Sequence, residues 1–149
     1  MDKSSEYIKM CRQAFEIQKN WKPEKGDWYS LADGQVKICV NDDSQSKNGF
    51  EFSKEDNKII FLQKKTWLPR QEQLIELSQI PCSNFQKNTF LFLQWADKPS
   101  IDKKNPNKKR YNSLEKARLA YIMELKYNKF WYDNMWYNLE SIDEKKISK

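Results

Sequence analysis

The chain has 149 residues, a formal net charge of +6, no histidine, three cysteines, and six Trp, seven Tyr and eight Phe. That length fits one domain, in which folding removes roughly 70% of the unfolded chain's exposed surface, and the aromatic side chains supply the bulk for its core. The lack of histidine excludes Ser-His-Asp and Cys-His nucleophilic sites, His-containing zinc sites and the zinc deaminase signature within one chain.

Taken in chain order, Ser4 and Ser5 are candidate N-caps. Behind them Tyr7, Ile8, Cys11, Ala14, Phe15 and Gln18 fall at helical spacing, which predicts an amphipathic helix over 5–19, ended by Pro23 and Gly26. Trp28 to Leu31, a turn at Asp33-Gly34 and Gln35 to Val40 read as a hairpin whose second run sends its β-branched residues one way. Asn41 to Gly49 is a polar, turn-rich loop, and Phe50–Phe52 and Lys58–Leu62 read as further short strands.

At Trp67-Leu68-Pro69-Arg70-Gln71-Glu72-Gln73-Leu74 the period changes from two to about four. Pro69 suits a first helical turn, where its missing N–H would have had no partner, and Leu74, Leu77 and Ser78 form the inner face until Pro81. A helix beginning at Ser83 or Asn84 is expected to align Phe85, Thr89, Phe92, Leu93 and Ala96 on one stripe. Ser100 to Tyr111 carries no periodicity. Asn112 with Glu115 three residues on forms a candidate capping box, after which Leu114, Ala117, Tyr121, Ile122 and Leu125 recur at helical spacing, with Leu119, Ala120 and Met123 widening the apolar face of a central helix. Phe130 to Tyr137 reads as an aromatic hairpin turning at Asp133-Asn134, and the charged end at 141–149 reads as a frayed tail.

The fold class this predicts is α+β, a single domain over 1–140: an N-terminal helix, a small antiparallel sheet, then a helical half closed by a C-terminal aromatic β-hairpin. Cys11, Cys39 and Cys82 have no CxxC spacing, which reads as reduced, buried thiols in a cytoplasmic protein rather than a disulfide framework. Residues 1–20 scatter charges where a signal peptide needs an apolar stretch, and the apolar runs at Phe90–Leu93 and Leu119–Met123 are far too short to span a bilayer. The expectation is no membrane association and no cofactor. Neither GxGxxG nor GxxxxGK[ST] occurs, so no standard phosphate-cradling loop is present.

The remaining candidates are recognition surfaces. In the 67–74 segment Trp67 would serve as an aromatic anchor, Arg70 as a forked donor, and Gln71 and Gln73 as amide contacts. The competing and favoured reading is a strand-to-helix corner with Trp67 and Leu68 turned inward. Trp131 and Trp136 are candidate stacking platforms for single-stranded nucleic acid, against the favoured role of covering the 113–126 helix. Lys103, Lys104, Lys108, Lys109 and Arg110 are candidate phosphate contacts in a basic loop, although abundant Lys, Asn and Ile are also what an AT-rich coding sequence yields. Asp42-Asp43 and Glu55-Asp56, with Glu51 and Lys58, are the only suggestion of carboxylate-metal hydrolysis. They read first as solvated turn residues.

Three stretches, Trp21-Lys22-Pro23-Glu24-Lys25-Gly26-Asp27-Trp28, Trp67 to Leu74, and Lys126 to Trp131 with Trp136, resemble a family of small uncharacterised proteins encoded by phages and prophages of low-GC Gram-positive bacteria. The middle stretch is the most specific. Asp133-Asn134 departs from the bare Trp-Asp-Gly turn more usual in that family. The resemblance implies a viral accessory protein of the host bacterial cytoplasm and brings no established activity and no functional residues to carry over. Together with the missing catalytic groups it leads to the expectation of a non-enzymatic domain that binds another macromolecule, a protein partner first, with a nucleic-acid-binding factor using the basic loop and the aromatics as the alternative.

Overall fold

The computed structural model describes residues 1–40, 50–55, 58–63, 65–78, 85–97 and 111–139. Among these, the elements run α1 (Ser5–Gln13), α2 (Phe15–Gln18), β1 (Trp28–Leu31), β2 (Val36–Ile38), β3 (Phe50–Glu55), β4 (Lys58–Gln63), β5 (Lys65–Trp67), α3 (Gln71–Leu77), α4 (Phe85–Ala96), α5 (Leu114–Tyr127), β6 (Lys129–Tyr132) and β7 (Met135–Asn138). The fold is α+β, with helices and small antiparallel sheets of order β2-β1-β5, β3-β4 and β6-β7. The chain divides into two compact units, Lys3–Pro69 and Met1–Asp2 with Arg70–Lys149. The polar loop at 41–49, Cys82, the basic loop at 98–110 and the tail at 141–149 lie outside the described residues.

In the N-terminal unit the helix expected over 5–19 is two helices. Ser4 caps the first, its Oγ accepting from the Tyr7 N–H at 3.2 Å. Ala14 then takes φ −82°, ψ 64°, the inverse γ-turn conformation, and ends the run. The break rotates the next turn of the chain. Ile17 and Gln18 point inward, whereas Phe15, expected on the apolar stripe, is exposed.

The effect of the break is visible at the sheet edge. Tyr29 pairs with Trp67, and the Leu68 N–H donates to the Trp28 carbonyl at 2.8 Å. Because paired and unpaired positions alternate along an antiparallel ladder, the N–H and C=O of Trp67 itself face away from β1. The buried Gln18 carboxamide meets both. Its Oε1 accepts from the Trp67 N–H at 2.8 Å, and its Nε2 donates to the Trp67 carbonyl at 3.0 Å. A side-chain amide thus stands where a neighbouring strand's peptide would.

The stretch from Trp21 to Trp28 is organised by one buried carboxylate. Asp27 Oδ2 accepts from Trp21 Nε1 at 2.8 Å and from the Glu24 N–H at 3.1 Å. Trp21 then stacks on Trp67, ring centroids 6.0 Å apart and nearly parallel. In the β1–β2 hairpin Gly34 holds φ +87° and Asp33 Oδ1 accepts from the Gln35 N–H, the three-residue hairpin loop in which glycine supplies the left-handed position. Ile38 and Val40 point outward, with Cys39 buried on the opposite side.

In the C-terminal unit α5 is the central helix: all eight residues from Lys116 to Met123 are buried. Its N-cap is Ser113, one residue later than the Asn112 predicted. The Ser113 Oγ accepts from the Lys116 N–H and donates to the Asp2 carboxylate, and the buried Lys116 Nζ donates to Asn112 Oδ1 at 2.8 Å. Glu115, expected to fold back in a capping box, lies 3.3 Å from the amino group of Met1. Asn128 ends the helix in the left-handed region at φ 55°, ψ 38°.

The α4 stripe is also displaced. Asn88, Phe92 and Trp95 turn inward, while Leu93 and Ala96, predicted to be inside, are exposed and Thr89 is half-buried. A helix with apolar residues on most of its circumference gives no unique phase. Here a polar contact fixes it, because Asn88 Nδ2 donates to the hydroxyl and the carbonyl of Ser78 at the end of α3.

Candidate functional site

The Trp67–Gln73 segment carries the chain from the end of β5 into α3. Trp67 is 7% exposed and Leu68 fully buried, so the indole is stacked inside the N-terminal unit rather than presented as an anchor. The Tyr7 hydroxyl donates to the Pro69 carbonyl at 2.6 Å. Pro69 lies just before the N-cap, which is Arg70, instead of in the first helical turn. Gln73 is occupied locally, since its Oε1 accepts from the Arg70 N–H at 3.0 Å. This is the side-chain half of a capping box. Arg70 and Gln71 are half-buried, and Arg70 Nε, Gln71 Nε2 and Trp67 Nε1 have no hydrogen-bond partner among the described residues.

The C-terminal hairpin is tightly determined. Asp133 and Asn134 hold φ 44° and 64°, the paired positive values of a type I′ turn, whose twist matches that of the strands it joins. Register puts Trp131 opposite Trp136 and Lys129 opposite Asn138 on one face, and Phe130 opposite Tyr137 and Tyr132 opposite Met135 on the other. Phe130 is buried and tilts against Tyr137 at 5.8 Å. Trp131 and Trp136 meet edge-to-face at 5.0 Å and are both half-buried. At the tip Tyr132 is 57% and Met135 53% exposed. The hairpin anchors at its base and presents large apolar side chains at its end.

The five basic candidates Lys103, Lys104, Lys108, Lys109 and Arg110 lie outside the described residues, as do Asp42, Asp43 and Asp56. The backbone register places Glu55 opposite Lys58 in the β3–β4 hairpin. Among the described residues no group of three His, Cys, Asp or Glu side chains is arranged to hold a metal ion.

A cluster that the sequence does not announce surrounds Arg118. This guanidinium is buried in the middle of α5, its carbon 3.7 Å from the centre of the Phe92 ring, and its Nε and Nη1 have no hydrogen-bond partner among the described residues. Phe92 contacts Tyr121 edge-on at 5.6 Å and Trp95 at 6.3 Å, and Trp95 in turn stacks with Tyr111 at 6.1 Å. Burial disfavours the charged forms and pushes the Arg118 pKa down and the Tyr121 pKa up; the pair's mutual attraction opposes both shifts. The signal in the sequence is a charge set between Ala117 and Leu119, inside the apolar stretch of a helix that also carries Glu115, Lys116, Glu124 and Lys126, where a surface position is the ordinary expectation. No protein family, no curated protein and no solved structure matches the chain.

Proposed function

We propose that this chain is a non-enzymatic phage or prophage accessory protein of the host bacterial cytoplasm, and that it binds another protein through the tip of the β6–β7 hairpin. The observation that carries the reading is the exposure of Tyr132 and Met135 together on one face of a rigidly turned hairpin. Aromatic side chains and methionine are over-represented at the centres of protein interfaces, because they bury much area and Met adapts its shape. The resemblance of the Trp67–Leu74 stretch to phage-encoded proteins supplies the biological setting. The test is affinity capture from prophage-induced cells, with nuclease treatment, using the wild type beside a Tyr132→Ser/Met135→Ser variant. A partner that survives nuclease and is lost from the variant is expected. Identical partners on both proteins sink the idea.

A second reading, single-stranded nucleic acid binding, draws on the other face, where the half-buried Trp131 and Trp136 share a side with Lys129. Base stacking on such rings is worth about 1–3 kcal/mol per base. It predicts tryptophan quenching by an oligonucleotide at about 50 mM salt that fades toward physiological salt and is lost in Trp131→Ala. Absence of quenching at low salt removes it.

A further inference from the structure

A guanidinium taken out of water needs acceptors for its N–H groups and a counter-charge. Arg118 has neither among the described residues: it is 5% exposed, and its Nε and Nη1 meet no acceptor. The Phe92 ring, 3.7 Å from the guanidinium carbon, attracts the charge through its face but offers no oxygen to the N–H groups. The acids at the start of α5 are engaged elsewhere. Glu115 lies 3.3 Å from the Met1 amino group, and Asp2 accepts from Ser113 and lies 3.9 Å from Lys116 Nζ. Tyr121, one turn beyond Arg118, supplies no negative charge at neutral pH, because burial raises its pKa and holds the proton on. Glu124 stands about 9 Å along the axis from Arg118 and a third of a turn round.

The cluster around Arg118 adjoins open space. Trp95 and Tyr121, which both contact Phe92, also line a cavity of about 520 Å³ whose walls include Leu91, Leu125 and Leu139, a size that holds small molecules. Arg118 lies outside that wall, one turn or about 5 Å along the axis from Tyr121, a separation its long, flexible side chain spans. We propose that this region binds a small apolar monocarboxylic acid, its body in the cavity and its carboxylate on Arg118. A planar carboxylate matches the guanidinium fork and takes two N–H donors at once. One negative charge balances one positive. A phosphate dianion would leave a surplus charge among aromatic rings, where desolvation penalises it. None of these residues belongs to the β6–β7 hairpin, so the site is additional to the protein-binding surface at Tyr132 and Met135.

The test is tryptophan fluorescence titration of the full chain at neutral pH with three probes: benzoate, benzamide, which has the same shape without the charge, and inorganic phosphate. Saturable binding of benzoate below about 10 mM is expected, with benzamide and phosphate each weaker by about tenfold or more, the scale of one charge-assisted pair. Arg118→Met removes the guanidinium together with its desolvation cost, so the fold is retained and benzoate is expected to weaken by about tenfold or more. Arg118→Lys keeps the charge without the fork and is the second variant, expected to weaken benzoate severalfold with unchanged circular dichroism. Glu124→Gln removes a like charge from the cavity wall and is expected to leave benzoate binding equal or tighter. The proposal is overturned by an absence of saturable benzoate binding up to about 10 mM, or by benzamide or phosphate binding as well as benzoate. Wild-type affinity in the folded Arg118 variants, or a loss in Glu124→Gln, overturns it equally.

Discussion

Replacing Gln18 with methionine, similar in length and apolar, leaves the N–H and C=O of Trp67 without the carboxamide that now meets them. Each buried backbone group left unpaired costs about 1–3 kcal/mol, so Gln18→Met is expected to lower unfolding free energy by about 2–5 kcal/mol in urea titration. A loss near zero would mean that water reaches the edge of β5. The raised Tyr121 pKa has a consequence with a definite sign. The unfolded chain ionises this phenol near 10 while the folded protein still holds the proton, so the unfolded state binds fewer protons above that pH. Stability is fully present below pH 10 and declines as pH rises through the folded value; Tyr121→Phe is expected to remove that part of the alkaline decline in pH-dependent denaturation. Neither Gln18 nor Arg118 is legible from sequence as what it is. Gln18 stands on the predicted inner stripe of a helix, but nothing local says that its partner lies 49 residues away. Arg118 is hidden because charge ordinarily means surface.

At the scale of elements, the sequence is most readable where local chemistry decides the outcome. The Asp133-Asn134 turn follows from two residues that tolerate positive φ, and the β1–β2 hairpin follows from Asp33-Gly34. Asn134→Gly places the residue best suited to the second position of a type I′ turn and is expected to add about 0.5–1 kcal/mol, read as a higher thermal midpoint. An unchanged or lower midpoint would contradict the assigned turn. Legibility fails where phase depends on a distant partner. The α4 stripe is misassigned from sequence because Phe90, Leu91, Phe92, Leu93 and Trp95 offer several apolar faces, and the choice among them rests on Asn88 meeting Ser78. The break at Ala14 escapes notice for the same reason: alanine favours the helix interior, and the contact that accompanies its departure, Gln18 at the β5 edge, is made with a distant strand. Of the candidate surfaces, the hairpin is readable from its aromatic run.

For the whole molecule, the division into two compact units has a measurable signature. Each has its own buried cluster, Tyr7, Met10, Trp21 and Leu68 in one and Leu74, Leu119, Ile122 and Met123 in the other. Units with separate cores depart from two-state behaviour. Calorimetry is expected to give a van't Hoff enthalpy below the calorimetric one, and Trp67→Phe and Trp95→Phe variants, each silencing a reporter in one unit, should report different midpoints. A single coincident transition would show that the two melt together. The β2-β1-β5 sheet has two ends of unlike character. At β5 the Gln18 carboxamide occupies the edge, while β2 pairs, among the described strands, with β1 alone and carries the outward-facing Ile38. A sheet with one available edge can join a second copy once and then stops, giving a closed pair; a sheet with two can add copies without limit. One glutamine side chain therefore withholds the β5 end of this sheet from strand pairing, a role otherwise filled by a whole strand.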